Sequence, residues 1–154
     1  MNRSGAIGTA TAEAVVRYLR ANGWPAAERT ALHGIHDVGD ITGTPGLAWE
    51  VKGGAAAEYA SDGQVSAWLA DTERERLCAG ANVGILVLKR KGIGAPNNTG
   101  RWWAVVAVDA LAHMTGAGGL DALDVPARLH LADACALLRR DGYGSPIVVP
   151  PHVS

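Results

Sequence analysis

Apolar positions recur along this chain at two spacings, a helical one of about 3.6 residues and a strand-like one of about 2. The switches between them lay out the elements. Ala12, Val15, Val16 and Leu19 fall at helical spacing and predict a first helix over residues 11–22, with Thr9 or Thr11 as its N-cap. "NGWP" stops it, because Gly23 suits the position just past a helix end and Pro25 cannot continue one. "AAERTALHG" predicts a short strand at 28–32, and "VGDI" a second. "TGTPG" is a turn with Pro45 and Gly46 at its centre, and "LAWEVK" alternates as a third strand. Together these form an antiparallel pair or meander.

The next helical pattern spans 64–79, with Asp62 as the cap and Val65, Trp68, Leu69, Thr72 and Leu77 on the buried side. "NVGILVLKRK" reads as a core strand that turns basic at its end, and "GIGAPNNTG" as a long polar loop with the composition of a mobile one. "RWWAVVAVD" has the continuous apolar run of a strand buried on both faces. Trp102 and Trp103, being adjacent on it, face opposite sides in core and helix-packing roles. A short helix at 109–114 follows. After a Gly-rich break, "VPARLHLADACALLRRDG" predicts a last helix ended by Gly142. Residues 1–9 read as a flexible arm and 143–154 as an extended tail. No internal repeat or second domain is visible, so the chain reads as one α/β domain.

Its 154 residues are enough for one hydrophobic core, and 48% hydrophobic residues exclude a disordered chain. No apolar run reaches the ~18 residues of a membrane span. The first residues lack a secretory pattern, so the expected location is the cytoplasm. Cys78 and Cys135 have no metal-like spacing and read as buried reduced thiols. The net charge of −1 announces no nucleic-acid binder, but "LKRKG" and "LRRDG" are local basic clusters.

Candidate chemistry sits in "GDITGTPGLAWEVKGG". Strand alternation turns Leu47, Trp49 and Val51 to the core and projects Glu50 and Lys52 together on the other side, ~7 Å apart at about 3.3 Å per residue. Asp40 ends the preceding strand, and the turn folds it back beside Glu50. Two neighbouring carboxylates raise one another's pKa unless a cation lies between them. Mg²⁺ is the natural one, because it takes one or two carboxylates together with waters and substrate phosphate. Such an ion activates water and neutralises charge on a phosphodiester. Lys52 would position or help activate that water, or stabilise the developing charge.

Around this set, Glu13 shares a helix face with Arg17 and Arg20 and could pair with Arg17. Asp37 is a reserve acid, and His33 and His36 read as loop histidines, His36 within reach of a phosphate. Gln64 opens the second helix and could orient water or phosphate. Lys89, Arg90 and Lys91 end a strand as phosphate contacts, with Arg3, Arg29 and Arg101 as further ones.

An Asp, a turn and Glu-x-Lys after a helix bearing a Glu resemble the PD-(D/E)XK nuclease superfamily. More narrowly, "TAEAVVRYLRANGWPAAER", "GDITGTPGLAWEVKGG" and "VGILVLKRKGIG" resemble the archaeal-type Holliday junction resolvases and their small relatives in actinobacterial phages, over residues 3–106. The resemblance implies a restriction-endonuclease-like core: a central mixed sheet flanked by helices, in the order α-β-β-β-α-β-β with a C-terminal helix. It implies Glu13, Asp40 and Glu50 as ligands of Mg²⁺ or Mn²⁺, with Lys52 completing the catalytic set. Gly39 stands where the superfamily has Pro. The implied activity is a homodimeric endodeoxyribonuclease that cuts four-way DNA junctions in recombination and repair, in the host cytoplasm if phage-encoded. Three other readings stand beside it: a same-fold nuclease acting on duplex ends, flaps or modified DNA, a noncatalytic DNA-binding module, and an interaction protein with no nucleic-acid role.

Overall fold

A computed structural model describes residues 3–30, 39–117 and 125–147. Helix α1 (Arg3–Ala21) leads into two short strands, β1 (Glu28–Arg29) and β2 (Ile41–Thr42), and then the six-residue β3 (Leu47–Lys52). Two helices follow, α2 (Gly54–Glu58) and α3 (Asp62–Ala79), then β4 (Val83–Leu88). A single helical turn (Thr99–Arg101) precedes β5 (Trp103–Ala107), α4 (Val108–Met114), β6 (Pro126–His130) and α5 (Leu131–Arg140).

The main sheet is mixed, in the order β3-β4-β5-β6. β3 and β4 run parallel, with Glu50 opposite Leu86 and Lys52 opposite Leu88, across the α2–α3 connection. β5 is antiparallel to β4, and β6 to β5. The pleat sorts this sheet into two faces. Trp49, Ile85, Val87 and Ala104 join the stripe Ala12, Val15, Val16 and Leu19 of α1 and the stripe Leu131, Ala134, Cys135 and Leu138 of α5 in one buried cluster. On the opposite face Leu86, Leu88 and Val105 pack against Val65 and Leu69 of α3. The protein is therefore a mixed α/β domain whose four-stranded sheet carries helices on both faces. Among the described residues no helix is long and apolar enough to cross a membrane.

The turn reads as expected: the Leu47 amide donates to Thr44 O at 3.0 Å, with Pro45 and a positive-φ Gly46 between them. Several expectations are corrected. The first helix begins at Arg3, so residues 3–9 are helix and not a flexible arm. Thr11 is no cap; it is buried and donates to Ile7 O inside the helix. The N-cap of α3 is Ser61, one residue before Asp62. Leu77 is exposed, and the buried stripe of α3 takes Glu75 instead. Cys78 is exposed, and Cys135 is buried as expected.

The expected last helix is a strand and a helix. "PARLH" pairs with β5 as an edge strand, where Pro126 at the first position loses nothing, and helix starts at Leu131. The loop between β4 and β5 is anchored by packing. Thr99 and Trp102 are buried, and Trp102 Nε1 donates to Ile93 O at 2.7 Å. Residues 143–147 carry no regular element, and the rest of the tail lies outside the described residues.

Candidate active site

The site forms where the edge strand β3 meets the loop before β2 and the first turns of α1. The Asp40 amide donates to Trp49 O at 2.6 Å, and its carbonyl accepts from the Thr30 amide at 2.8 Å. Asp40 is thereby stitched between β1 and β3. Its Oδ2 accepts the Val51 amide at 2.8 Å, which sets the carboxylate one residue from Glu50. Gly39 makes this approach possible. Its φ is +93°, and a Cβ there would lie 2.6 Å from Trp49 O. The Gly-Asp pair is thus a backbone requirement of this site.

Asp40, Glu50, Val51, Lys52 and Arg29 line one cavity of about 380 Å³, whose α1 wall is Gly8, Thr9 and Ala12. Small residues at 8 and 12, one helical turn apart, keep that wall low. Glu50 lies on the sheet face that α3 covers and is 9% exposed. Its Oε1 pairs with Lys52 Nζ at 2.9 Å. The same ammonium lies 5.6 Å from the ring centre of Trp68. These contacts answer why a core strand carries two opposite charges on one side: they partner each other at the sheet edge, where the apolar cover of α3 ends. Burial works against the Lys52 ammonium. The hydrogen bond and charge of Glu50, then the charges of Asp40 and Glu75, outweigh it and hold Lys52 above the ordinary lysine range. The side chain is therefore a cation at neutral pH.

Glu13 lines a neighbouring depression with Arg17 and Arg20. Its carboxylate pairs with Arg29 at 3.5 Å, not with Arg17, while Arg20 Nε donates to Ala27 O. Arg29 borders both cavities. The structure thus brings Asp40, Glu50, Lys52 and Arg29 together and sets Glu13 behind Arg29. Among the described residues no three His, Cys, Asp or Glu side chains converge as a metal-binding group. Among the described residues that line the cavity the carboxylates are Asp40 and Glu50, a pair that suits a hard cation completing its shell with water and phosphate oxygens.

Gln64 is exposed at the start of α3, where its backbone amide takes the Ser61 cap at 3.1 Å, and it does not line the cavity. Lys89, Arg90 and Lys91 gather in a separate groove. Arg101 is exposed, and its carbonyl accepts from Arg90 Nη1 at 2.9 Å. Arg3 stands at the start of α1 with its side chain outside the description. His33, His36 and Asp37 lie outside the described residues. Sequence reasoning missed the place of Thr9 in the cavity wall, the role of Gly39, and Glu75. The i, i+3 spacing of Glu75 from Thr72 was the signal available for the last. No family model, no curated protein and no solved structure matches this chain.

Proposed function

We propose that this protein is a divalent-metal-dependent endodeoxyribonuclease with a restriction-endonuclease-like core, acting as a homodimer on branched DNA such as a four-way junction. The observation that carries the reading is that Asp40, Glu50 and Lys52, remote enough in sequence to need a turn and a strand to meet, line one open cavity at a sheet edge. Two carboxylates beside a fixed ammonium suit a divalent cation, and with that cation in place the cavity would suit an anionic phosphodiester.

In this reading Asp40 and Glu50 would hold Mg²⁺ or Mn²⁺, which would supply an activated water and charge neutralisation at the phosphate. Glu13, paired with Arg29, acts on the site through that arginine or through water. Lys52, held protonated, faces the scissile phosphate and stabilises the negative charge that builds on its oxygens. Arg29 borders the same space and adds a second cation. Trp49 and Val51 fix the Asp40 backbone and carboxylate before substrate arrives, so little reorganisation is left for the reaction. The branched substrate rests on the family resemblance together with symmetry: a junction needs two paired nicks, which a two-fold dimer delivers. The test is incubation with a synthetic four-way junction and a linear duplex of the same arms, with and without Mg²⁺. Junction cleavage that requires the ion supports the reading. Loss of neither strand under any divalent ion overturns it.

A further inference from the structure

Across the sheet from the cavity, the same face ends in a second group of charges. The register sets Lys52, Leu88, Trp103 and His130 in one row over β3, β4, β5 and β6. Three interstrand spacings put the two ends of this row about 14 Å apart. Beyond Lys52 the row borders a groove between the α2–α3 junction and the strand ends, lined among the described residues by Lys89, Arg90, Lys91 and Arg128 with one carboxylate, Glu58, and with Trp103 at its base. The Lys89 amide donates to Lys52 O at 3.0 Å, so groove and cavity adjoin.

The four cations in the groove are not stability pairs: the ion pairs among the described residues use none of them. Aromatic side chains hold all four instead, Lys89 Nζ most loosely at 6.0 Å from the Trp102 ring centre. The Arg90 guanidinium lies 4.0 Å from the Trp103 ring centre and that of Arg128 5.4 Å, and Lys91 Nζ lies 4.9 Å from the ring of Tyr59. A guanidinium resting on an indole keeps in-plane donors directed outward and loses little further freedom when it binds an anion. Such preordered cations, grouped on a chain whose net charge is only −1, suit a polyanion that crosses the sheet edge.

We propose that this groove binds the sugar–phosphate backbone of the DNA, a few nucleotides from the phosphate in the Asp40–Glu50 cavity. The proposal rests on the nuclease reading for the identity of the strand. Its affinity is independent of the metal and of Lys52.

Fluorescein-labelled junction and duplex, titrated with protein in EDTA across a salt series and read by anisotropy, test it. The Lys91→Ala/Arg128→Ala double variant, both positions exposed, should lose two phosphate contacts. The slope of log affinity against log salt should then become shallower by about 1.8, and affinity at low salt should fall roughly tenfold. Should the double variant fail to fold, Arg128→Gln alone carries the test with a slope change of about 0.9. Arg90→Lys keeps the charge and gives up the stack, so it should hold the slope while weakening affinity. An unchanged slope and affinity in the double variant overturns the groove, whether or not the wild type cleaves. Absence of wild-type binding at low salt overturns it as well. Wild-type binding with the expected slope change, but no cleavage under any divalent ion, supports the groove and removes the nuclease reading alone.

Discussion

The Val51 amide donates to Asp40 Oδ2 at 2.8 Å, so one carboxylate of the cavity is fastened to the strand residue that follows the other. The bond has two separable consequences. Asp40→Asn keeps an oxygen acceptor for Val51 and removes the charge. It should fold with nearly native stability and lose ion-dependent cleavage by at least about a hundredfold. Asp40→Ala also leaves the buried amide of Val51 without this partner and should cost about 1–3 kcal/mol. Urea denaturation of the two variants beside a single-turnover cleavage assay makes the comparison. Full activity in Asp40→Asn would remove Asp40 from the site.

Glu50 and Lys52 form a mostly buried pair, and each is costly alone. Lys52→Met strands the Glu50 carboxylate and should destabilise by about 2 kcal/mol, discounted from a fully buried pair because Lys52 stays one-third exposed. Glu50→Gln/Lys52→Met should regain most of that stability and none of the cleavage. A double-mutant cycle reads the coupling directly. A cycle with no coupling would show that the pair does not stabilise the fold.

Much of this was legible in the chain. The stripe Ala12, Val15, Val16 and Leu19 and the alternation of "LAWEVK" each have one geometric solution: the strand stands where expected, and the stripe is buried as expected in a helix that starts eight residues earlier, at Arg3. The closeness of Asp40 to Glu50 followed from a turn whose Pro45–Gly46 chemistry is specific. What escaped depended on tertiary partners. "PARLH" is too short for its alternation to outweigh the helical stripe behind it, and only pairing with β5 makes it a strand. Glu75 looks like a solvated helix residue until α3 is laid on the sheet. Glu13 was placed by family likeness, whereas its contact is decided by Arg29, which β1 delivers from a segment with little pattern of its own.

Gly39 should tolerate substitution poorly although it carries no functional group. Gly39→Ala adds both left-handed strain and a contact with Trp49 O, and should cost on the order of 1–3 kcal/mol while shifting Asp40 and reducing cleavage. Gly94→Ala is the matched control, because a Cβ there meets nothing within 4 Å and its φ is ordinary. It should be neutral within about 0.5 kcal/mol. Thermal denaturation distinguishes the two. Equal behaviour would mean that the loop before β2 yields without effort.

Alkaline pH should unfold the protein earlier than its neutral stability suggests. Burial pushes the Cys135 thiol up to about 12 from an ordinary 9.0, with Arg139 working against the rise. Burial, reinforced by Cys135, pushes Tyr18 up to about 12 from 10.0, and Lys52 is also raised above 10.5. In each case the unfolded chain gives up its proton first. The folded state then binds more protons than the unfolded one, and stability falls as pH rises. The contribution of Cys135 is complete below about pH 9 and is lost progressively up to about pH 12, with a slope of about 1.4 kcal/mol per pH unit while only the unfolded thiol is ionised. Tyr18 and Lys52 steepen the fall above about pH 10. Urea midpoints measured stepwise from neutral to strongly alkaline pH give the curve. Cys135→Ala should start lower, because it leaves a small gap against α1, yet run flat until tyrosine and lysine begin to ionise. A variant that tracks the wild-type slope from its first alkaline step would show that the thiol is not held neutral by the fold.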